Sequence, residues 1–428
     1  MYHINSKVKN ILGAILVLLL LAGVGYFLFK KNIGTVNIPN KESIEETDDV
    51  PIDDENIPKL SGYELPSGFS LSIFAKDVKG ARVIEFDPKG RILVSQTSEG
   101  KIIALSDTNN DNVSDQENER KVLASGLKNP HGMALECHSE EGKCFLYVAE
   151  RDALYRYLYD ADTPSLQAKE KLLDIASSLT DNHFTRSLLF LPLPNEDTLL
   201  ISVGSSCNVC HEKDTDHASI LSYNIKTGER GVYAKGLRNA VFMTLDPVHG
   251  KVYATEMGRD NLGDDLPPDE INIIENKNNQ IQNYGWPNCY GKNIHDTQFD
   301  KNIYIRNPCM EPFETPSFVD LQAHSAPLGL AFIPEEGWSE EYWYNMLVVY
   351  HGSWNRSTPT GYKIARIKMN AKGDYLGTED FITGWLSKND NKSSTKTGRP
   401  VDIKVLSGGV AYISDDSSGL IYRLWKSE

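Results

Sequence analysis

The stretch GARVIEFDPKGRILVSQT, residues 80–97, contains two short apolar runs separated by Asp87, Pro88, Lys89 and Gly90. Within the runs, apolar residues alternate with polar or small ones, as they do in β-strands that bury one face. Proline and glycine between the runs favour a tight turn. The stretch therefore predicts a β-hairpin.

The pattern of this hairpin recurs along the chain. Five further copies begin at Pro130, Phe184, Arg238, Ala326 and Arg399. A third short apolar run follows each copy, for example ALYRYLYD at 153–160 and YKIARIKM at 362–369. Six units at intervals of about 50 to 90 residues predict an all-β fold, a six-bladed β-propeller.

One further run stands before the first copy. GFSLSIFAKDV, residues 68–78, alternates as a strand does but lies outside the six units. We expect it to complete the last blade and so close the ring.

Polar residues at corresponding places in the units should meet at one end of the propeller channel. They are His183 with Arg186, Arg238 with Asn239, Gly258 with Arg259, His351 with Arg356, and Arg399. Guanidinium groups that converge on one channel repel each other unless a polyanionic ligand binds between them. The planar guanidinium suits carboxylates or phosphates, which accept two hydrogen bonds from it.

Longer motifs occur in order along residues 65–424. They are DNHFTRSLLF (181–190), VGSSCNVC (203–210), GLRNAVFMTLDP (236–247), EMGRDNLGDDLPPDEIN (256–272), NYGWPNCYG (283–291), HSAPLGLAF (324–332), HGSWNRSTPTGYKIARI (351–367) and GRPVDI (398–403). Together they resemble the glucose/sorbosone dehydrogenase family, and most closely its sorbosone-dehydrogenase-like branch. Members of that family are six-bladed propellers that use pyrroloquinoline quinone (PQQ) and calcium.

The resemblance implies a catalytic pair and a cofactor site. His183 corresponds to the base that takes the proton of the substrate hydroxyl, and Arg238 to the group that polarises the quinone carbonyl. A neutral imidazole and a fixed cation suit these tasks. The residues that would contact the cofactor are Asn239, Arg356, Lys363 and Arg399.

The resemblance also implies two calcium sites. The backbone carbonyls of Gly258 and Arg259 match the positions that hold the cofactor's calcium. Glu270 and Tyr284 match a second, structural calcium site. The insertion RDNLGDDLPP, residues 259–268, lengthens the loop before these acidic residues.

A third calcium candidate comes from the residues themselves. In DTNNDNVSDQENE, residues 107–119, oxygen ligands stand at positions 1, 3, 5, 7 and 9 of an EF-hand-type loop. They are Asp107, Asn109, Asp111, the carbonyl of Val113, and Asp115. Asn112 replaces the usual turn glycine and tolerates its left-handed conformation. Asn118 stands where a bidentate glutamate is usual, so a neighbouring glutamate or Asp115 would have to close the site.

The N-terminal segment predicts a single membrane anchor, residues 1–31. Residues 11–29 form a run of 19 residues without a charge, about 28 Å of helix, which is enough to span a bilayer core. Residues 32–59 are acidic and lack aromatics, which predicts a disordered linker before the propeller domain, residues 60–428. The net charge of −15 and the lack of basic clusters argue against a nucleic-acid partner.

The six cysteines form three local pairs along the sequence: Cys137 with Cys144, Cys207 with Cys210, and Cys289 with Cys309. An even count in a domain held outside the cytoplasm favours disulfides, which places the domain in the periplasm or outside the cell. Cys207-x-x-Cys210-His211 is also compatible with haem attachment, half a zinc site or a redox dithiol. Its position between two strands of one blade favours a loop closed by a disulfide.

The sequence thus predicts a membrane-anchored dehydrogenase that depends on PQQ and calcium. It would oxidise a small sugar or alcohol and pass the electrons to a separate acceptor. Two other functions remain open at this point. One is a non-catalytic propeller that binds carbohydrate or protein, and the other is a calcium-dependent lactonase.

Overall fold

The computed structural model describes residues 59–138, 143–177, 183–277, 280–388 and 394–426. The predicted anchor, 1–31, and the predicted linker, 32–59, lie outside this part, apart from Lys59. Among the described residues there is no helix with the length and apolar character needed to cross a membrane.

The described chain is built from short strands. In chain order they are β1 (Phe69–Ala75), β2 (Ala81–Phe86), β3 (Ile92–Gln96), β4 (Lys101–Leu105), β5 (Arg120–Ser125), β6 (Met133–His138), β7 (Lys143–Ala149), β8 (Ala153–Asp160), β9 (Ser165–Asp174), β10 (Leu188–Phe190), β11 (Thr198–Val203), β12 (Ser219–Asn224), β13 (Arg230–Lys235), β14 (Ala240–Leu245), β15 (Val252–Glu256), β16 (Asp269–Ile274), β17 (Asn276–Lys277), β18 (Gln280–Asn283), β19 (Cys289–Tyr290), β20 (Ile294–His295), β21 (Val319–Leu321), β22 (Pro327–Phe332), β23 (Met346–Tyr350), β24 (Lys363–Met369), β25 (Tyr375–Ile382), β26 (Leu386–Lys388), β27 (Ser394–Lys396), β28 (Pro400–Leu406), β29 (Val410–Asp415) and β30 (Leu420–Lys426). Within the same ranges, the helical elements are two short 3₁₀ turns, Glu117–Glu119 and Glu340–Tyr342.

Six antiparallel sheets form the blades of a propeller. Blades 1 to 3 are β2–β5, β6–β9 and β10–β13, and blade 4 is β14–β16 with β21. Blade 5 is β22–β25, and blade 6 is β28–β30 with β1. The first strands of neighbouring blades contact each other in a closed ring, β2, β6, β10, β14, β22 and β28. The predicted six-bladed propeller is therefore confirmed.

The first strand of the described chain closes the ring, as predicted. β1 pairs antiparallel with β30, so that Leu71 lies opposite Leu424. The last blade thus combines strands from both ends of the described chain. The ring of blades is therefore closed by hydrogen bonds between β1 and β30.

The core lies between the blades. The second strands β3, β15 and β23 are buried along their whole length, because both of their faces pack against other sheets or neighbouring blades. The outermost strands β5, β9 and β25 are largely exposed and carry many polar residues. The sequence predicted a fourth strand in the last blade alone, and the polar composition of β5, β9 and β25 explains why the outermost strands of those blades were missed.

Blade 4 carries an insertion that the sequence did not predict. Between β16 and β21 the chain leaves the blade and forms β17–β20. β18 pairs in parallel with β13 of blade 3, with Ala234 opposite Gln282. The insertion therefore links two blades through a shared sheet.

All six cysteines are paired in the predicted local pattern. The disulfides are Cys137–Cys144, Cys207–Cys210 and Cys289–Cys309. They join strands β6 and β7, close the β11–β12 loop, and brace the insertion in blade 4. Three disulfides indicate an oxidising compartment.

Candidate active site

A cavity of about 540 Å³ lies at one end of the propeller channel. Its wall is built from two kinds of segment: the residues at or just before the first strand of a blade, and the loops between second and third strands. Both lie at the same end of the blades, because consecutive strands are antiparallel. Six of the residues predicted to converge there line it: His183, Arg238, Asn239, Gly258, His351 and Arg399.

His183 precedes β10 and is held by the β11–β12 loop. Its Nδ1 lies 3.0 Å from both the carbonyl oxygen and the Oγ of Ser205. Because a carbonyl only accepts, Nδ1 carries the proton and the ring's lone pair is at Nε2. The wholly buried Arg186 donates to the carbonyl of His183 over 2.7 Å. A Cβ at Gly204 would lie 2.5 Å from the Cβ of His183, so only glycine fits there.

Arg238 precedes β14 and is 4 % exposed. Nε donates to the carbonyl of Asn208 (2.9 Å) and Nη2 to its Oδ1 (2.8 Å), while Nη1 donates to the carbonyl of Met257 (3.2 Å). Nη2 also forms an ion pair with Asp260 at 3.1 Å. Burial lowers the pKa of Arg238, and the charge of Asp260 opposes this. The guanidinium is therefore held as a cation in the cavity wall.

Asn239 is positioned by a buried acid. Its backbone N–H donates to both carboxylate oxygens of Glu256, at 3.1 and 3.3 Å. Burial raises the pKa of Glu256 well above its ordinary range, and the charge of Glu270 adds to this. The carboxamide of Asn239 lies beside Met257, with Nδ2 3.5 Å from the sulfur.

Arg399 lines the wall next to β28. Nε donates to the carbonyl of His351 at 3.1 Å, and Nη2 donates to that of Gly352. His351 in turn lies 3.0 Å from Asp416. Burial lowers the pKa of His351 to about 4, so the ring is neutral at pH 7 and donates from Nε2 to the carboxylate.

Arg356 is engaged away from the cavity wall. Its Nη1 donates to the carbonyl of Asp264 (2.6 Å), and its Nη2 pairs with Asp265 (3.0 Å). Ser357 also donates its backbone N–H to Asp264, at 3.0 Å. Arg356 and its neighbour thus join the β23–β24 loop to the insertion 259–268.

Lys363 is likewise outside the cavity wall. It stands at the start of β24, where its ammonium pairs with Asp380 and lies 5.7 Å from the ring centre of Tyr350. The assignment of Arg356 and Lys363 to the cofactor stays a prediction from the resemblance.

Of the two residues predicted to hold the cofactor's calcium, Gly258 and Arg259, Gly258 lines the cavity wall. Its N–H donates to Asp269 over 2.9 Å. Burial raises the pKa of Asp269 to about 6. The side chain of Arg259 instead forms a buried two-bonded ion pair with Asp296.

Glu270 and Tyr284 border a separate cavity of about 20 Å³. That volume is enough for one water-sized occupant. Glu270 accepts hydrogen bonds from the N–H of Gly291 (2.5 Å) and from Nδ2 of Asn272 (3.0 Å). The Tyr284 hydroxyl donates to the carbonyl of Ile273 at 2.6 Å.

The loop 107–119 joins β4 to β5, at the opposite end of the blade from the cavity. Asn112 has φ of 63°, the left-handed conformation expected there. Asp107 accepts from the N–H groups of Asp111 (3.1 Å) and Asn112 (2.9 Å). Although burial opposes it, hydrogen bonds donated by Thr108, Gln116 and Asp115 lower the pKa of Glu119, whose carboxylate closes the loop. Calcium at Asp107, Asn109, Asp111, Val113 and Asp115 stays a prediction.

Within the residues that the structure describes, one group of three metal-ligating side chains is close enough to share an ion: Cys207, Cys210 and Glu212. Both sulfurs belong to a disulfide, so neither is available as a thiolate ligand. The expected closed loop is confirmed.

A family model described as TrAA12-like matches residues 63–427. The chain belongs to the TrAA12-like family. The resemblance to PQQ-dependent sugar dehydrogenases that the motifs indicated is thereby confirmed.

Three relatives show how far the likeness extends. An uncharacterized protein of Borreliella burgdorferi is 30% identical over 376 residues, covering 85% of this chain and 91% of that protein. The pyrroloquinoline quinone-dependent sugar dehydrogenase of Hypocrea jecorina is 27% identical over 248 residues, 52% of this chain and 56% of that enzyme. The holo pyranose dehydrogenase PQQ domain of Coprinopsis cinerea has the same fold, with a TM-score of 0.68 and 21% identity over 86% of this chain and 98% of that domain.

Several wall residues of this TrAA12-like site were missed in the sequence. Arg82 pairs with Asp416 at 2.8 Å. When the first and fourth repeats are aligned on their shared Asp-Pro turn, Arg82 corresponds to Val241 and not to Arg238, so the arginines of the other repeats did not point to it. Trp354 lines the cavity with 72 % of its surface exposed. Asn208 lies within the cysteine motif, and its contacts with Arg238 depend on the folded loop.

Glu270 of the TrAA12-like chain offers a test of its predicted calcium. Burial raises its pKa from 4.5 to about 7, so the folded chain retains a proton that the unfolded chain has released. Stability should therefore fall as pH rises through this window. With a chelator at pH 8, Glu270→Gln should raise the melting temperature above that of the parent, because the buried charge is removed. The flipped amide of Asn272, whose Oδ1 lacks a partner among the described residues, can accept from the new side chain.

The parent protein and the Glu270→Gln variant, compared at a second pH and with calcium, also supply the control. At pH 5, where the folded parent already holds the proton, the two melting temperatures should nearly coincide. Calcium at pH 8 should reverse the order, since only the parent keeps the anionic ligand. A variant less stable than the parent in chelator at pH 8 would contradict this account of the site.

Proposed function

We propose that this chain is a PQQ-dependent dehydrogenase that oxidises a hydroxyl group of a sugar or alcohol. One observation carries the proposal: a single cavity holds a histidine whose lone pair is at Nε2 together with three arginines, Arg82, Arg238 and Arg399. The sugar dehydrogenase of Hypocrea jecorina and the pyranose dehydrogenase domain of Coprinopsis cinerea support it, and the chain spans just over half the length of the Hypocrea jecorina enzyme.

The cavity suits a planar quinone with three carboxylates. Its volume of about 540 Å³ falls within the roughly 300–1,000 Å³ typical of ligand pockets. Nε of Arg82 is buried and has no hydrogen-bond partner among the described residues. An anionic oxygen would satisfy this donor, and Arg399 would hold a second carboxylate.

The bound quinone would supply a hydride acceptor, and the residues of this chain would manage the charges. The substrate hydroxyl would give its proton to Nε2 of His183 as the carbon loses hydride. The carbonyl of Ser205, which accepts a hydrogen bond from the Nδ1–H group of His183, would stabilise the imidazolium that forms. Arg238 would stabilise the negative charge that develops on the cofactor oxygen.

Calcium remains part of this proposal. The carbonyls of Gly258 and Arg259 would hold the ion of the cofactor, and Glu270 with Tyr284 a second one. The acidic loop from Asp107 to Asp115 would bind a third ion with a structural role, since it lies at the far end of blade 1.

The proposed setting is the outer face of a membrane. Residues 1–31 would anchor the chain, and residues 32–59 would let the propeller extend from the bilayer. The three disulfides support a periplasmic or extracellular position. The electrons would then pass to a separate acceptor.

The direct test is reconstitution. PQQ and calcium added to the purified full-length protein should give a cofactor absorbance that sugars or alcohols bleach. If the protein binds carbohydrate but no PQQ with calcium in large excess, the non-catalytic propeller is the correct function.

Arg399→Ala should weaken PQQ binding more than it slows turnover. The change removes a charge-assisted bond to a cofactor carboxylate, typically worth about 1.5–3 kcal/mol, or roughly 10- to 150-fold in Kd. Fluorescence titration with PQQ measures this directly. Arg156→Ala is the matched control, since Arg156 pairs with Glu170 on the outer strands of blade 2, and it should leave Kd unchanged. An unchanged Kd for Arg399→Ala would remove Arg399 from the cofactor site.

A further inference from the structure

The β11–β12 loop touches both members of the proposed catalytic pair. Ser205 holds Nδ1 of His183 through its carbonyl and its hydroxyl, each at 3.0 Å. The N–H of Ser205 donates to the carbonyl of Arg238 at 2.7 Å. Three residues further on, Asn208 binds the guanidinium of Arg238. One short loop therefore contacts the base and the cation together.

Asn208 makes four hydrogen bonds with two partners. Its carbonyl oxygen and its Oδ1 accept from Nε (2.9 Å) and Nη2 (2.8 Å) of Arg238. Oδ1 also accepts from the N–H of Asp260 (2.8 Å), and Nδ2 donates to the carbonyl of Asp260 (3.2 Å). Nη2 of Arg238 therefore donates both to Oδ1 of Asn208 and to the carboxylate of Asp260 (3.1 Å), and the two acceptors together fix the direction of the guanidinium.

The loop itself is closed covalently. The Cys207–Cys210 disulfide brackets Asn208. The Ser205 hydroxyl donates to the carbonyl of Cys207 at 2.6 Å, which links the His183 contact to the same turn. Ser206 donates its N–H and its hydroxyl to Glu212, both at 2.7 Å. The backbone that presents Asn208 is therefore fixed on both sides.

We propose that Asn208 is a positioning residue that orients Arg238 for the reaction, and that the Cys207–Cys210 disulfide holds Asn208 in place. The inference rests on the proposed function, because it assigns a task to a contact of the proposed electrophilic group. Arginine has a long side chain with several rotatable bonds. Without the amide of Asn208, Nη2 would keep only Asp260 as an acceptor, and the guanidinium could turn away from the cofactor oxygen on which negative charge is proposed to develop.

Asn208→Ala in the full-length protein tests the proposal. At saturating PQQ and sugar, kcat should fall by roughly 10- to 100-fold, the scale of a small misplacement of a catalytic group. The Kd for PQQ should change little, because Arg399 and Arg82 are untouched. A role limited to stability would not separate kcat from Kd in this way.

Asn345→Ala is the matched control. Asn345 is also buried, accepts from Nε of Arg366 (2.7 Å), and donates to the carbonyls of Trp343 (2.8 Å) and Met369 (3.2 Å). It therefore makes the same kinds of bond to an arginine outside the cavity wall. Its loss should lower the melting temperature and leave kcat unchanged.

The disulfide is tested in the same manner. Cys207→Ser with Cys210→Ser should lower kcat as Asn208→Ala does. Cys137→Ser with Cys144→Ser opens a hairpin disulfide in blade 2, remote from Arg238, and should not lower kcat. Equal kcat for the two double variants would overturn the role of the disulfide.

A crystal structure of Asn208→Ala gives a readout that does not depend on turnover. A guanidinium of Arg238 that is rotated from its parental orientation, or that adopts more than one orientation, is the expected result. An unmoved Arg238, or a parental kcat with only a lower melting temperature, would overturn the proposal. A parent protein without PQQ-dependent turnover would instead refute the proposed function, and the position of Arg238 in the variant would still decide whether Asn208 orients it.

Discussion

His183→Gln should lower kcat by at least about two orders of magnitude while PQQ remains bound. General-base catalysis typically contributes roughly 10²–10⁴-fold, and an alcohol carbon gives up hydride only as its oxygen loses a proton. Glutamine has a similar length and can still donate to the carbonyl of Ser205. It has no nitrogen lone pair that can accept the proton. The loss should therefore fall on the chemical step.

Turnover at saturating PQQ and sugar, with a parallel titration of PQQ, separates the two effects. His249→Gln is a suitable control. Nδ1 of His249 bonds to Asp246 at 2.7 Å in the β14–β15 turn, at the opposite end of blade 4 from the cavity. It should keep the parental kcat. If His183→Gln turns over at a near-parental rate, the base lies elsewhere in the cavity or the reaction does not need one.

The repeats were sufficient to predict the propeller and its closure. Buried second strands such as β23, with the sequence MLVVY, give a strong apolar signal, and β1 was identified because it stood outside the six units. The outer strands gave no such signal. β9 is exposed along most of its length, so its polar residues are set by solvent contact rather than by a core.

The candidate site was predictable where a residue's place in the repeat determines its place in the wall. His183, Arg238 and Arg399 stand at or just before the first strand of a blade, and all three line the cavity. Arg82 instead lies inside β2, where the fourth repeat has Val241, so the positions of the other arginines gave no signal for it. The place of His183, Arg238 and Arg399 in the wall follows from the course of the backbone, and the pattern of strands in the sequence predicts that course.

Contacts between loops could not be read from the sequence. Arg356 lies in a motif shared with the family, yet its guanidinium reaches Asp264 and Asp265 in the insertion 259–268. A long, flexible cation pairs with whichever carboxylate the folded loops bring near. The motif fixed the residue type, whereas the insertion determined its partner.

Arg238→Ala should have the second large effect, lowering kcat by roughly 10²–10³-fold, as the loss of one preorganised donor to a developing oxyanion typically does. PQQ affinity should also fall, but by less than in Arg399→Ala. Arg238→Lys should restore little. A lysine ammonium keeps the charge but lacks the planar fork that binds Asn208, Met257 and Asp260 together.

A second substitution, made at the carboxylate of Asp260, separates the effect of Arg238→Ala on catalysis from its effect on stability. Arg238→Ala leaves Asp260 without its cation in a largely buried position, where its side chain is 18% exposed, so the protein should also melt at a lower temperature. Adding Asp260→Asn removes that stranded charge and should recover much of the melting temperature, while kcat stays low. Recovery of kcat along with stability would show that Arg238 serves only as the counter-ion of Asp260. A persistent loss of kcat in the stable double variant assigns Arg238 to the reaction itself, because stability has been recovered while the guanidinium is still missing from the cavity wall.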